Sequence, residues 1–293
     1  MKPAGGNQRG FVLVVVLGLL AVLFILALSL GAAVRADLAR ARRFQDAVAA
    51  EFLAKAGMAW AVHYLQALER AGRLWQAPWR FEPARFGDQP LGAGTFSLTY
   101  VDATGQARFG LQDEEARLNV NTAPRALLEA LLQPAAVDVE RLLQQRPFAT
   151  PEDLLVRGGL EPAVFYGQAG RPGLEAFLTV WGSGKLNVNT APWQVLALLP
   201  GMTPAQAQAL VAYRHGADGQ PGTADDRFFP TLAALRQVVP LDPAWEGLLT
   251  VAPTAFRTVV SGQVGTPPHV QRHRRLVVID LAGQVRYWRP LPQ

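Results

Sequence analysis

From Phe11 to Val34 the chain carries no charged residue, and charge returns abruptly at Arg35. These 24 residues would make roughly 36 Å of helix at about 1.5 Å per residue. A bilayer core is about 30 Å thick, and the apolar region of a secretory signal is usually only about 7–15 residues. The run is long enough to span a membrane and too long for an ordinary cleaved signal. The helical pattern continues past it, because no proline occurs between Pro3 and Pro78. Leu38, Ala41, Phe44, Val48, Phe52, Ala56 and Trp60 follow at steps of three or four, which predicts one apolar stripe on a continuing helix. Arg40, Arg42, Arg43, Asp46, Glu51 and Lys55 occupy the other faces. The pattern divides this part of the chain into residues 1–10, a membrane-length helix over 11–34 and a helical stalk over 35–76.

The pattern then changes period. "GTFSLTYVDATGQARFGLQD" (94–113) alternates about a turn at Asp102–Gly105. "EAFLTVW" (175–181) reads as a strand, placed near 176–181. "APTAFRTVVSGQV" and "RLVVIDLAGQVRYWRP" read as C-terminal strands, the second turning at Ala282-Gly283. Residues 77–112 and 249–293 are therefore expected to form one antiparallel sheet. Between them, residues 113–248 read as an inserted all-α domain.

That insert contains a repeat. "LNVNTAP" occurs at 118–124 and again at 186–192, an offset of 68. The offset holds for Leu128/Leu196, Leu131/Leu199, Leu142/Leu210 and Arg146/Arg214, but Phe148, Thr150 and Leu154 match Phe229, Thr231 and Leu235 at an offset of 81. The second copy thus carries 13 extra residues, "HGADGQPGTADDR" (215–227). Asn or Thr before Ala-Pro predicts a helix N-cap, and Thr203 predicts a second cap before "PAQAQALVAYR". Each copy reads as a helix-hairpin-helix-like module, two of them packed together. Such hairpins can bind DNA phosphates through a Gly-x-Gly-like turn. Here the turns are Pro200-Gly201-Met202-Thr203 and "QPAAVD", so packed helices are the simpler reading.

The 13-residue insertion is the best candidate for chemistry. Asp218, Asp225 and Asp226 lie in a glycine-rich loop, and two adjacent carboxylates repel each other without a counter-ion. Calcium takes six to eight oxygen ligands, and backbone oxygens near Gln220 and Thr223 could add to the three carboxylates. EF-hand spacing is absent, and an acidic turn without metal is the competing reading. Catalysis finds no foothold: "GSGKL" lacks the upstream glycine and following Ser/Thr of a phosphate-binding loop, and His63, His215, His269 and His273 are dispersed, with His215 read as an exposed loop residue. The chain has no cysteine, so disulfides, thiolate metal sites and a cysteine nucleophile are excluded. Net charge is +5, nearly all from scattered arginines; the densest run, "HVQRHRR" (269–275), lies in an alternating segment and reads as a solvated sheet edge. We read the protein as non-enzymatic, with no nucleic-acid partner.

The leader gives the sharper functional reading. "MKPAGGNQRG" is short and basic and ends in glycine just before Phe11 and the apolar run. It resembles the type III leader of type IV pilins and pseudopilins. The resemblance implies cleavage by a prepilin peptidase between Gly10 and Phe11, methylation of the new terminus, and retention of the helix as the assembly element. Most pilins have Glu as the fifth mature residue; here that position is Val15. Together with the paired Asn-rich repeats, the second preceded by "LTVWGSGK", the chain resembles the K-type minor pseudopilins of type II secretion. That resemblance implies an α+β pseudopilin fold, the long N-terminal transmembrane helix packed on an antiparallel sheet, with the helical domain inserted. It also implies a subunit at the pseudopilus tip that supports protein export across the outer membrane. Its partners would be the I- and J-type minor pseudopilins and the major pseudopilin; contact with the other minor pseudopilins is expected along the stalk face bearing Phe44, Val48 and Phe52. It would be a single-pass inner-membrane protein with its C-terminal domain in the periplasm. It supports calcium in the insertion. The flanking charges oppose that orientation, because Lys2 and Arg9 precede the span whereas Arg35, Arg40, Arg42 and Arg43 follow it. The alternative reading is a membrane-anchored DNA-binding module resembling competence receptors.

Overall fold

The structure, a computed structural model, describes residues 8–292 except 103–104, 169–170, 241, 246 and 267–268. Helix α1 runs without a break from Gln8 to Arg70. It ends there, short of residue 76, and the chain turns through Gly72 at φ +64°. Then come α2 (Pro83–Phe86), β1 (Gln89–Leu91), β2 (Gly94–Val101), β3 (Ala107–Phe109) and β4 (Gln112–Asp113). The inserted domain holds β5 (Leu118–Asn119), α3 (Arg125–Leu132), α4 (Val139–Gln144), α5 (Pro151–Val156), α6 (Pro162–Tyr166), β6 (Gly167–Gln168), β7 (Arg171–Pro172) and β8 (Leu178–Thr179). It continues with β9 (Leu186–Asn187), α7 (Trp193–Leu196), α8 (Pro204–Arg214), α9 (Leu232–Leu235) and β10 (Leu249–Thr250). Strands β11 (Ala255–Thr266), β12 (His269–Asp280) and β13 (Val285–Pro290) complete the chain.

The main sheet is antiparallel, in the order β1-β2-β11-β12-β13, with β3 on β2 and β4 on β11. The alternation over 94–113 and in the C-terminal strands therefore corresponds to real strands. One sheet face is apolar, and α1 lies across it. Ala50, Leu53, Ala54, Ala61, Leu65 and Leu68 of α1 meet Phe96, Leu98, Phe256, Val260, Val264, Val277 and Ile279. Small residues let helix and sheet approach closely. A Cβ added at Gly262 of β11 would come within 2.0 Å of the Ala50 carbonyl oxygen, and one at Gly57 within 2.8 Å of the Phe96 ring.

The helix thus buries a different stripe from the one its spacing predicts. Phe44 and Phe52 remain 72% and 63% exposed. Only Trp60, at the end of that stripe, turns inward, stacking on Tyr64 and meeting the Phe86 ring edge-on. Apolar spacing marks a stripe but not its partner, and here the Ala/Leu stripe beside it has the shape the sheet accepts. Residues Phe11–Val34 are apolar and contact no other part of the fold.

The inserted domain is not purely helical. Each repeat opens on Leu-Asn and closes on Leu-Thr, and these short strands pair in parallel: β5 with β8, and β9 with β10. The strand expected near 176–181 shrinks to β8, since residues 174–176 form a single 3-10 turn. Because β10 pairs inside the domain, the sheet resumes only at Ala255, not at 249. Leu128, Leu142, Phe165, Val195, Leu196, Leu210 and Phe229 share one core across both repeats.

The two faces of α1 make a paired prediction. Leu65→Ala should cost about 2–5 kcal/mol in chemical unfolding of the folded region, since Leu65 is fully buried against the sheet. Phe44→Ala should change stability by no more than about 0.5 kcal/mol. Comparable losses at both positions would contradict the packing described.

Candidate assembly face, repeat joint and insertion loop

The expected processing pair, Gly10 and Phe11, lies within the unbroken first turns of α1. Val15 is half exposed on the apolar segment. Phe44, Val48 and Phe52 lie together on α1 where it emerges from the fold. Phe52 also borders a cavity of about 460 Å³ lined by Leu53, Ala56, Leu91 and Val264, between the helix and the β1–β2 hairpin. The stripe is apolar, exposed and continuous with this groove, so it can take the side of another apolar helix.

The joint between sheet and repeats was not singled out by the sequence reading. Asp113, Glu114 and Glu115 are consecutive acids and all are buried. The Asp113 carboxylate accepts from Asn187 Nδ2 at 2.7 Å and from the Thr190 hydroxyl, both in the second repeat. Glu114 accepts from Arg257 Nε of β11 at 2.8 Å and from the Thr179 hydroxyl of β8. Glu115 accepts from the backbone N–H groups of Ser183 and Thr254 and from the Thr254 hydroxyl. Three acids in sequence usually read as a solvated turn, so only the partners reveal their role.

Burial pushes the Asp113 carboxyl well up, and the neighbouring Glu115 adds to that. Burial acts the same way on Glu114, but Arg257 and Arg117 outweigh it and hold Glu114 below the usual glutamate value. Arg117 is itself lowered to about 10 by burial and the nearby Arg257.

Each repeat is locked by the same three side chains. Asn121 donates to the Phe148 and Val180 carbonyls and accepts from the Phe148 N–H at 2.7 Å. Asn189 does the same with Phe229 and Val251. Asn119 and Asn187 accept from the backbone two residues on, closing tight turns. Arg146 donates to the Ala123 carbonyl, and Arg214 to those of Val188 and Ala191. The expected caps are therefore wrong in role. Helices α3 and α7 start after Pro124 and Pro192 with no side-chain cap, because Asn121 and Asn189 reach across the module instead. Thr203 does cap α8, in a reciprocal box with Gln206. "GSGK" wraps Glu115, which Ser183 N–H contacts. Neither hairpin turn has Gly-x-Gly, and a Cβ at Gly201 would lie 3.7 Å from the Asp242 carboxylate, a poor setting for a phosphate.

The insertion folds on itself. Asp225 accepts from the N–H groups of Ala217 and Asp218 and, at 2.7 Å, from the Thr223 hydroxyl; these bonds hold its carboxyl below the usual value. Asp218 accepts from Gln220 N–H, and Asp226 from Gly222 N–H. Burial raises the Asp226 carboxyl, whose Oδ1 is buried without a partner. Among the described residues no three His, Cys, Asp or Glu side chains come together as a metal site. As folded, the loop meets its acids with its own hydrogen bonds, Asp226 Oδ1 excepted, and does not assemble the ligand set expected for calcium. It packs against the segment after α1: Pro221, Gly222 and Thr223 line a cavity with Arg80 and Phe81. His215 is half-buried rather than exposed, and burial with Arg214 nearby lowers it to about 4.

Residues 118–170 and 186–243, the two repeats with their insertion, match the family described as type II secretion system (T2SS), protein K. The similarity to that family covers 111 of the 293 residues, all within the inserted domain. That match supports a minor pseudopilin role in type II secretion. Among solved structures, a chain of the GspK-GspI-GspJ complex from the enterotoxigenic Escherichia coli type 2 secretion system is similar over 87% of this chain and 100% of that one. The identity is 13% and the TM-score 0.46, too distant to carry an argument. No curated protein matches.

Two stability predictions arise from this geometry. Asn189→Ala should cost about 3 kcal/mol, since it strands three buried backbone groups, and should cost more than Asn121→Ala at its less buried counterpart. Glu114→Gln should cost about 3–5 kcal/mol at neutral pH by leaving Arg257 without its buried counter-charge. Because the folded Glu114 value is lowered, its contribution is complete above about 4.3, the unfolded value, and fades as pH falls through the folded one. The gap between wild type and Glu114→Gln should therefore narrow on acidification in urea titrations; a constant gap would contradict the assignment.

Proposed function

We propose that this chain is a minor pseudopilin that sits at the tip of the type II secretion pseudopilus. Residues Phe11–Val34 store it in the inner membrane, with everything after Arg35 in the periplasm. Prepilin peptidase cuts after Gly10, and the freed Phe11 is methylated. The subunit then joins the I- and J-type minor pseudopilins, and through them the major pseudopilin. The observation that carries this reading is the two-faced helix: α1 buries one stripe on its own sheet and leaves Phe44, Val48 and Phe52 bare beside an apolar groove. A bundle of neighbouring helices would cover it. Val15 supports the terminal position, since a subunit without an acid there has nothing to pair with the amine of the next.

Mass spectrometry of the protein from its host should find methylated Phe11 as the first residue; a terminus near Ala33 would overturn the assembly reading. Mixed with its I- and J-type partners, the chain should form a one-copy-each complex. Changing Phe44 and Phe52 together to Ser should weaken that complex at least tenfold without lowering the melting temperature. An unchanged complex would place the interface elsewhere.

Calcium remains a proposal for the insertion. To bind it, the loop would release part of the Asp225 network and bring Asp218, Asp225 and Asp226, including the unpartnered Asp226 Oδ1, together with the Gln220 and Thr223 oxygens around one ion. Calcium should then raise the melting temperature of wild type but not of an Asp225→Asn/Asp226→Asn variant. An equal shift in both, or none, would leave the loop as a clasp on Arg80 and Phe81 alone.

A further inference from the structure

The first exposed residues after the apolar segment form a basic collar. Arg35, Arg40, Arg42 and Arg43 fall within nine positions, and all are exposed. At about 100° per residue they cover about 160° of the helix circumference. Arg35 Nε donates to the Gly31 carbonyl at 3.1 Å, so its side chain folds back toward the apolar segment. Arg40 pairs with Asp37 at 2.6 Å, but both are more than 70% exposed. Arg42 and Arg43 form no ion pair among the described residues, although Asp46 follows them one helical turn on. The folded body first covers α1 at Ala50, so the collar stands in open space between span and fold.

We infer that this collar binds the phosphate headgroups of anionic lipids at the membrane surface. Arg40 and Arg43 lie about 9 and 14 Å along the helix from Val34. A headgroup layer adds about 5–7 Å beyond the hydrocarbon edge, and the screening length at physiological salt is about 8 Å. All four charges are therefore within electrostatic reach of the surface. Helical side chains also lean toward the N-terminus, which here is the membrane side. Arginine matches a phosphate with paired N–H donors. The excess of arginine on this side opposes the usual orientation rule, so topology does not account for it. Each arginine near an anionic surface should strengthen attachment about fivefold. The collar would hold the stored subunit at a fixed depth, and extraction into the pseudopilus would have to break these contacts.

This inference rests on the spanning helix proposed above. Alkaline extraction of membranes separates the two: wild type and an Arg40→Gln/Arg42→Gln/Arg43→Gln variant should both stay in the pellet, whereas release of both would fail the span itself. The full-length chain in non-ionic detergent is then mixed with equal amounts of phosphatidylglycerol and phosphatidylcholine, and bound lipids are counted by native mass spectrometry. Wild type should retain phosphatidylglycerol at least tenfold more often, and the triple Gln variant should bind both lipids equally. A triple Lys variant should keep the preference, and circular dichroism should be unchanged throughout. Equal retention by wild type, or a preference surviving in the Gln variant, overturns the proposal. So does displacement of the lipid by excess inorganic phosphate, which would make the ligand a free anion. Absent any lipid preference, failure of the Gln variant to join its partner subunits would assign the collar to protein contacts instead.

Discussion

Three buried carboxylates in a row hold this molecule together. Asp113 leaves the sheet with β4, and the next two residues bring Glu114 and Glu115 into the space between the sheet and both repeats. Each acid faces a different body: Asp113 the second repeat, Glu114 the close of the first and Arg257 of the sheet, Glu115 the strand re-entry at Thr254. Removing charge from water is expensive, so such a cluster persists only while every lone pair is met. That requirement fixes the orientation of the inserted domain. A second tie, from Tyr287 and Arg289 of β13 to Glu152 of α5, reinforces it from the sheet edge.

The repeats show how little is needed to close a small helical module. Their helices are short, from four to eleven residues, and none would be stable alone. An asparagine bridging three backbone groups and an arginine reaching back to the opening turn replace what longer helices would supply. The second copy keeps both devices while accepting 13 residues between Arg214 and Phe229. Arg227 N–H still meets the Arg214 carbonyl at 2.8 Å, so the insertion begins and ends at nearly one point and the module closes beneath it.

Along α1, three environments succeed one another on a single rod: apolar on all sides, then basic and bare, then half packed on a sheet. A rigid element built this way couples depth in a bilayer to the position of a folded domain. The exposed Phe44–Phe52 stripe begins next to the collar and runs onto the stretch of helix that packs on the sheet, along the face opposite the buried Ala50 and Ala54.

Much of this was written in local patterns. Period and length alone gave the spanning helix, the strands at both ends and the doubled module with its extra loop, because these depend on near neighbours in sequence. The Thr203 cap was legible for the same reason. What tertiary structure decided was the choice of partners. Leu53 and Leu65 were preferred over Phe44 and Phe52 because the sheet, partly built from strands some 200 positions later, accepts small and branched side chains. Asn121 and Asn189 became cross-module braces instead of caps because Phe148 and Phe229 return to them. Asp225 turned to the loop's own N–H groups. The run from Asp113 to Glu115 carried no signal of its role, since nothing nearby in sequence announces Arg257, Thr179 or Asn187. Local pattern specifies which surfaces exist; only the closed chain specifies which of them meet.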